Sequence, residues 1–142
     1  NGLDDAVNES WRVLEKGGRI CVSFRADNIQ TRLTDWLAKI KSNKLNSSYA
    51  LEFHKLNLTR KEFISVFEKV GFVIDKVFPV ENMPILYKFS FFRALSHKRF
   101  NENIARYEGY KLSILGEILQ RILMKFFPDQ FCNIYVLIAT KP

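Results

Sequence analysis

Arg25, Asp27 and Asn28 are the first residues whose types and spacing suggest chemistry. They follow directly on a short β-rich run, residues 19–24, and in open α/β sheets ligands sit beyond the carboxyl ends of strands. An arginine there suits an anionic group, and Asp27 or Asn28 suits a hydroxyl or an amine. The same Asp27-Asn28 pair also reads as the cap of the helix that follows. A second group lies in residues 83–128: Tyr87, Arg93, His97, Lys98, Arg99, Arg106, Tyr107 and Tyr110. His97, with an ordinary pKa of about 6.5, reads first as a surface histidine in a basic cluster, and would otherwise suit a general base. Other chemistries find little support. His54, His97, Cys21 and Cys132 lack metal-ligand spacing. There is no G-x-S-x-G elbow and no Walker loop, and nothing aligns Ser, His and Asp as a triad.

The elements that must position these residues can be read from hydrophobic spacing. Val7, Trp11 and Leu14 form one apolar stripe of a helix over residues 4–15, closed by Gly17-Gly18. The 19–24 run shows little alternation and reads as a strand covered on both faces. Ile29, Leu33, Trp36, Leu37 and Ile40 predict a helix to about residue 41, followed by a polar loop over 42–48. Thr59-Arg60-Lys61-Glu62 is a capping box, and Phe63, Val66, Phe67 and Val70 then keep helical spacing up to Gly71. Residues 72–80 read as a strand, with Pro79 marking an end or an edge. Residues 83–128 read as helical. Pro84 opens a first helix that is apolar on most sides, and Leu112, Leu115, Leu119, Ile122 and Phe126 mark a second, stopped by Pro128. That second stripe reads as core, or as an interfacial helix, since Phe126 and Phe127 combine with Lys111, Arg121 and Lys125. The run 131–140 is the strongest strand signal in the chain.

Composition bounds the possibilities. The chain has 142 residues, 47% of them hydrophobic and 14% aromatic, with 6 Gly and 4 Pro. That excludes collagen-like and low-complexity readings and argues against disorder. No apolar run is long enough to span a bilayer. The first eight residues hold two Asp and no apolar block, so no secretory leader is expected there. The lack of an initiator Met suggests a start inside a longer gene product. Cys21 and Cys132 both fall in strand-like runs and are expected as buried, reduced thiols of a cytoplasmic protein. The net charge is +7, and the excess is concentrated: eight bases against three acids in 83–128, and five against two in 30–56. Such segments are solvated helix faces or basic inserts facing an anionic substrate, nucleic acid or lipid headgroups.

The order of elements carries a resemblance. Trp11-Arg12-Val13-Leu14-Glu15-Lys16-Gly17-Gly18-Arg19-Ile20 resembles the RVLKPGG segment of class I S-adenosylmethionine-dependent methyltransferases, which joins a helix to the fifth strand of their sheet. The capped helix ending Val70-Gly71-Phe72 resembles that family's exit into the sixth strand. Ile134-Tyr135 to Lys141-Pro142 resembles its seventh strand, which often ends in Lys-Pro. The resemblance covers about half of the chain. It implies an α/β fold, the C-terminal part of a Rossmann-like methyltransferase sheet with strand order 5-7-6 and helical inserts. On this reading residues 1–142 are the C-terminal half of one domain, with a helical insert at about 83–128.

The resemblance also implies function. The intact protein would use S-adenosylmethionine to methylate a small, sugar-like or lipid-like acceptor. In the family the insert before the last strand often forms a substrate lid, which makes Tyr87, His97, Arg106 and Tyr107 substrate-binding candidates beside Arg25, Asp27 and Asn28. The family's donor site needs a glycine-rich turn after a strand, and no G-x-G occurs here. No cofactor is therefore expected on this chain alone, and the isolated chain is expected to be inactive. The 20–24 strand would expose an apolar edge, which a missing N-terminal half, a homodimer mate or a swapped helix is expected to cover. The alternatives are a non-catalytic basic α/β module binding RNA or a membrane surface, or a degenerate half-domain used in assembly. Nucleic acid is not the expected partner, because the aromatic-basic patterns of known RNA modules are missing.

Overall fold

The computed structural model describes residues 2–44, 56–99 and 102–142. The chain forms two compact units: Asn1–Asp27, His54–Val80 and Ile134–Pro142 make the first, and Asn28–Phe53 with Glu81–Asn133 make the second. His54 itself and most of the predicted 42–48 loop lie outside the described residues.

The first unit is an α/β layer. Helix α1 (Gly2–Val13) leads to strand β1 (Arg19–Arg25), and helix α3 (Arg60–Val70) leads to β2 (Val73–Val80). The last strand, β3 (Ile134–Thr140), lies between them in the order β1-β3-β2 and is antiparallel to both. Both helix exits follow the expected chemistry. Gly17 and Gly71 take positive φ values, 80° and 109°, where a side chain is strained. The Thr59 capping box forms: Thr59 Oγ1 accepts from the Glu62 amide, and a Glu62 carboxylate oxygen accepts from the Thr59 amide at 2.8 Å. Val7, Phe63, Phe67, Phe72, Leu137 and Ala139 form the core, with Ile20, Val22 and Phe24 packed against it.

β1 is covered on one face, not two. Its residues alternate between exposed and half-buried, with Ile20, Val22 and Phe24 toward the core. This is how an antiparallel sheet with helices on one face behaves. Cys21 consequently sits on the outer face and is exposed, contrary to the expectation of a buried thiol. Cys132 is buried as expected, but it ends a helical turn rather than lying in a strand. β3 begins only at Ile134 because Pro128 opens a short helix, α6 (Pro128–Phe131), in the preceding residues.

The second unit is built on helices α2 (Ile29–Lys44), α4 (Glu102–Glu108), α5 (Ile114–Phe126) and α6. The expected helix opened by Pro84 is instead three short 3₁₀ turns, Ile85–Lys88, Ser90–Phe92 and Leu95–His97. Their amides bond three residues back, as Phe89 to Leu86 and His97 to Ala94 do. Meanwhile the Arg93 guanidinium donates to the carbonyls of Tyr87, Lys88 and Lys98, so these groups are satisfied without an α-helix. Ile85, Leu86, Tyr87, Ala105 and Leu112 form this unit's core. Helix α5 is capped by Ser113, whose Oγ accepts from the Gly116 amide. It turns Gly116 and Gln120 inward and leaves Ile114, Leu115, Ile118, Ile122 and Phe126 exposed. Three residues of the expected core stripe, Leu115, Ile122 and Phe126, thus face outward. The helix is apolar around more than half its circumference, so spacing alone could not select the buried side.

Candidate functional site

The sequence-predicted residues fall in separate places. Arg25 closes β1, and its Nη1 donates to Asn57 Oδ1 at 2.9 Å. Ala26 bridges Leu58, and the Asp27 amide donates to the Leu58 carbonyl at 2.9 Å. The carboxyl end of β1 is thereby held beside the Thr59 cap of α3. This brings a guanidinium, a carboxamide and the half-buried Asp27 together at one end of the first unit.

Asn28 is buried and its polar atoms are used internally. Its Oδ1 accepts from the Thr31 amide at 3.0 Å, which caps α2. Its Nδ2 donates to the carbonyls of Asp129 and Cys132. The capping reading of this residue therefore describes its contacts in the second unit.

Tyr87 and His97 meet in the interior. The Tyr87 hydroxyl lies 2.9 Å from His97 Nδ1, and His97 Nε2 lies 3.4 Å from a Glu108 carboxylate oxygen. Lys111 Nζ donates to the same oxygen at 2.8 Å. A single neutral tautomer serves both histidine contacts, with Nε2 donating to Glu108 and Nδ1 accepting from Tyr87. Burial pushes the Tyr87 phenol up, with the Arg93 guanidinium opposing. The Lys111 ammonium, and then His97, hold the Glu108 carboxyl below the usual range. His97 is 2% exposed, so it is neither a surface histidine nor a base open to solvent. Arg106 belongs to α4, and its side chain lies outside the described ones. Tyr107 is 93% exposed, so it is not part of this buried group.

One cleft in the second unit was not anticipated. A cavity of about 620 Å³ is lined by Glu81, Asn82, Pro84, Ala105, Gly109 and Tyr110. A second, of about 290 Å³, shares Glu81, Pro84 and Tyr110 with it and adds Gln120 and Arg121 among others. Together they fall in the range of roughly 300–1,000 Å³ usual for small-molecule sites. Burial pushes the Glu81 carboxyl up, and the nearby Gln120 carboxamide partly opposes this. Yet neither amide atom of Gln120, a residue only 5% exposed, has a partner in hydrogen-bond geometry. The sequence held no signal for this. Glu81 falls in a charge-balanced segment, and Gln120 reads as an ordinary polar helix residue. A buried amide without partners costs about 1–3 kcal/mol. Gln120→Leu is therefore expected to raise stability by roughly 1 kcal/mol in urea unfolding, since it removes the orphaned groups at similar volume. A loss of stability would mean that the amide is satisfied in solution.

Among the described residues no group of three or more His, Cys, Asp or Glu is arranged to hold a metal ion. No described helix is long and apolar enough to cross a membrane.

No protein-family model matches the chain, and no curated protein matches it. Among solved structures it is similar to a SAM dependent methyltransferase from Archaeoglobus fulgidus, with a TM-score of 0.50 and 14% sequence identity. The likeness covers 98% of this chain and 52% of that one, so the chain spans about half the length of that structure. At so low an identity the likeness shows fold alone. The described residues therefore have an α/β, methyltransferase-like fold.

Proposed function

We propose that these residues are the C-terminal half of an S-adenosylmethionine-dependent methyltransferase acting on a small, sugar-like or lipid-like acceptor. One observation carries the reading: a sheet whose last strand is central and antiparallel, in a chain that aligns along 98% of its length with half of such an enzyme. In this reading β1, β3 and β2 are the fifth, seventh and sixth strands of a larger sheet. The edge of β1 is then covered by the N-terminal half.

The described residues do not themselves fit the donor. All strand pairs of the sheet are antiparallel, so it has no parallel switch point at which a nucleotide would sit. The positive-φ glycines, Gly17, Gly71 and Gly109, stand singly after helices and not as a glycine-rich turn after a strand. We therefore assign the donor to the N-terminal half and acceptor handling to this one. In this assignment the Glu81–Gln120 cleft of the second unit receives the acceptor, and Arg25 and Asp27 of the first unit remain substrate-contact candidates. The Tyr87–His97–Glu108 relay holds the cleft wall, since the Tyr87 and Tyr110 rings meet edge to face at 5.0 Å. Both cysteines are free, in keeping with a reducing cytoplasm.

Calorimetric titration with S-adenosylhomocysteine tests the proposal. The gene product that includes the residues encoded before Asn1 is expected to bind it, and the 142-residue chain is not. Absence of binding by the longer protein would end the methyltransferase reading.

A further inference from the structure

Helix α5 carries an apolar surface that its own unit does not bury. Ile114 is 81% exposed, Leu115 56%, Ile118 53%, Ile122 45% and Phe126 64%. At about 100° per residue these five side chains occupy one sector roughly 120° wide along the whole helix. The opposite side packs inward through Gly116, Leu119, Gln120 and Leu123. The surface continues beyond the helix. The residues before it run alongside the 3₁₀ segment, because the Ser113 amide donates to the Phe92 carbonyl and the Ala94 amide to the Lys111 carbonyl. Phe91 and Leu95, 74% and 83% exposed, flank this junction. Phe127 extends the surface at the other end.

The charges around it are of one dominant sign. On the helical wheel Arg121 and Lys125 fall along one border of the apolar sector, within about 20° of Ile114. The Lys125 ammonium lies 5.7 Å from the Phe126 ring centre. Lys98 and Arg99, both exposed, follow Leu95 in sequence. Across residues 83–128 eight bases stand against three acids. A second copy of this chain would bring like charges together at such a face. A folded acidic protein would match the charges but not a strip of isoleucine and phenylalanine ending in open aromatic tips. An anionic bilayer surface matches both features, with headgroups for the lysines and arginine and the acyl boundary for the apolar sector.

We propose that α5, with Phe91 and Leu95 beside its first turn, is a peripheral membrane-docking face selective for anionic lipid. Arg121 lies both on this border and in the wall of the Glu81–Gln120 cleft, so docking holds that cleft close to the headgroups. The docking itself does not depend on the methyl-transfer reading.

Vesicle flotation tests it. The 142-residue chain and the longer gene product are each mixed with vesicles of phosphatidylcholine alone or of phosphatidylcholine and phosphatidylglycerol in equal parts. Both proteins are expected to float with the anionic vesicles and to bind the neutral ones at least about tenfold more weakly. Ile118→Asp and the pair Arg121→Glu with Lys125→Glu are each expected to cut binding by about tenfold or more. These side chains are exposed, so the variants should keep the parent's circular dichroism and melting temperature. The proposal fails if neither protein floats, if only the shorter one does, or if Ile118→Asp binds like the parent. It fails equally if sedimentation shows a dimer that Ile118→Asp dissociates.

Discussion

Phe63→Ala should cost about 3–5 kcal/mol, the largest loss expected of any single side-chain truncation in the first unit. Phe63 is 1% exposed. Its ring stacks on Phe24 with centroids 3.5 Å apart and meets Phe67 at 5.0 Å, so it joins α3 to β1 through contacts the alanine cannot make. The cavity left behind has little means of collapse, because β1 and β3 are fixed to each other residue by residue from Arg19–Thr140 to Arg25–Ile134. Phe63 also lies one turn beyond the Thr59 cap, which holds Asp27 and Arg25 through Leu58 and Asn57. Loss of the ring should therefore loosen the carboxyl end of β1. Urea unfolding followed by tryptophan fluorescence checks the size, since Trp11 packs edge to face on Phe72 in the same core. Phe63→Leu should cost only about 1–2 kcal/mol. Equal losses for the two variants would mean that the site collapses freely and that stacking contributes little.

The second large effect is expected at His97. His97→Leu removes a partner of the buried Tyr87 hydroxyl and, beside Lys111, a donor facing Glu108. A loss of about 1–3 kcal/mol is expected at neutral pH, mostly from the lost hydrogen bond to the buried tyrosine oxygen. Tyr87→Phe should cost about 1 kcal/mol, and the double variant should be no worse than His97→Leu alone. Strict additivity of the two losses would show that the Tyr87–His97 contact contributes nothing. The relay also sets a pH dependence. The Glu108 carboxyl is held low by Lys111 and then by His97. A lowered folded-state pKa contributes stability that is present above the unfolded value, about 4.3, and is lost as pH falls through the lower folded value. The gap between parent and His97→Leu should therefore narrow below about pH 4. Denaturant midpoints at neutral and acid pH measure it. A gap that widened in acid would mean that His97 acts through another group.

The first unit was legible in the chain because its signals are local and each has one cheap structural answer. A helix that ends in Gly17-Gly18, a Thr59–Glu62 box and a Gly71 stop each fix a chain reversal within a few residues. The alternation of β3 buries Tyr135, Leu137 and Ala139 without reference to anything else. The place of β3 between β1 and β2 came only with the resemblance, since nothing in local spacing specifies which strands pair.

The second unit was far less legible. A segment apolar on most sides, residues 85–95, lacks the polar stripe that would mark one helix, and Arg93 diverts its carbonyls into 3₁₀ turns. The cleft joins Glu81, Tyr110 and Gln120 from three stretches of chain, and no short-range spacing links them. His97 reads as a surface histidine because its neighbours in sequence are charged, but burial is set by Tyr87 and Glu108, which lie 10 and 11 residues away. What the sequence determined by itself was the set of helices and strands in the first unit, their caps, and the basic, aromatic character of the 83–128 segment. Tertiary structure alone decided which side of α5 is buried, which polar groups are left without partners and where a ligand has room. Those are properties of surfaces meeting in space, and their free energy depends on distances that residue order does not encode.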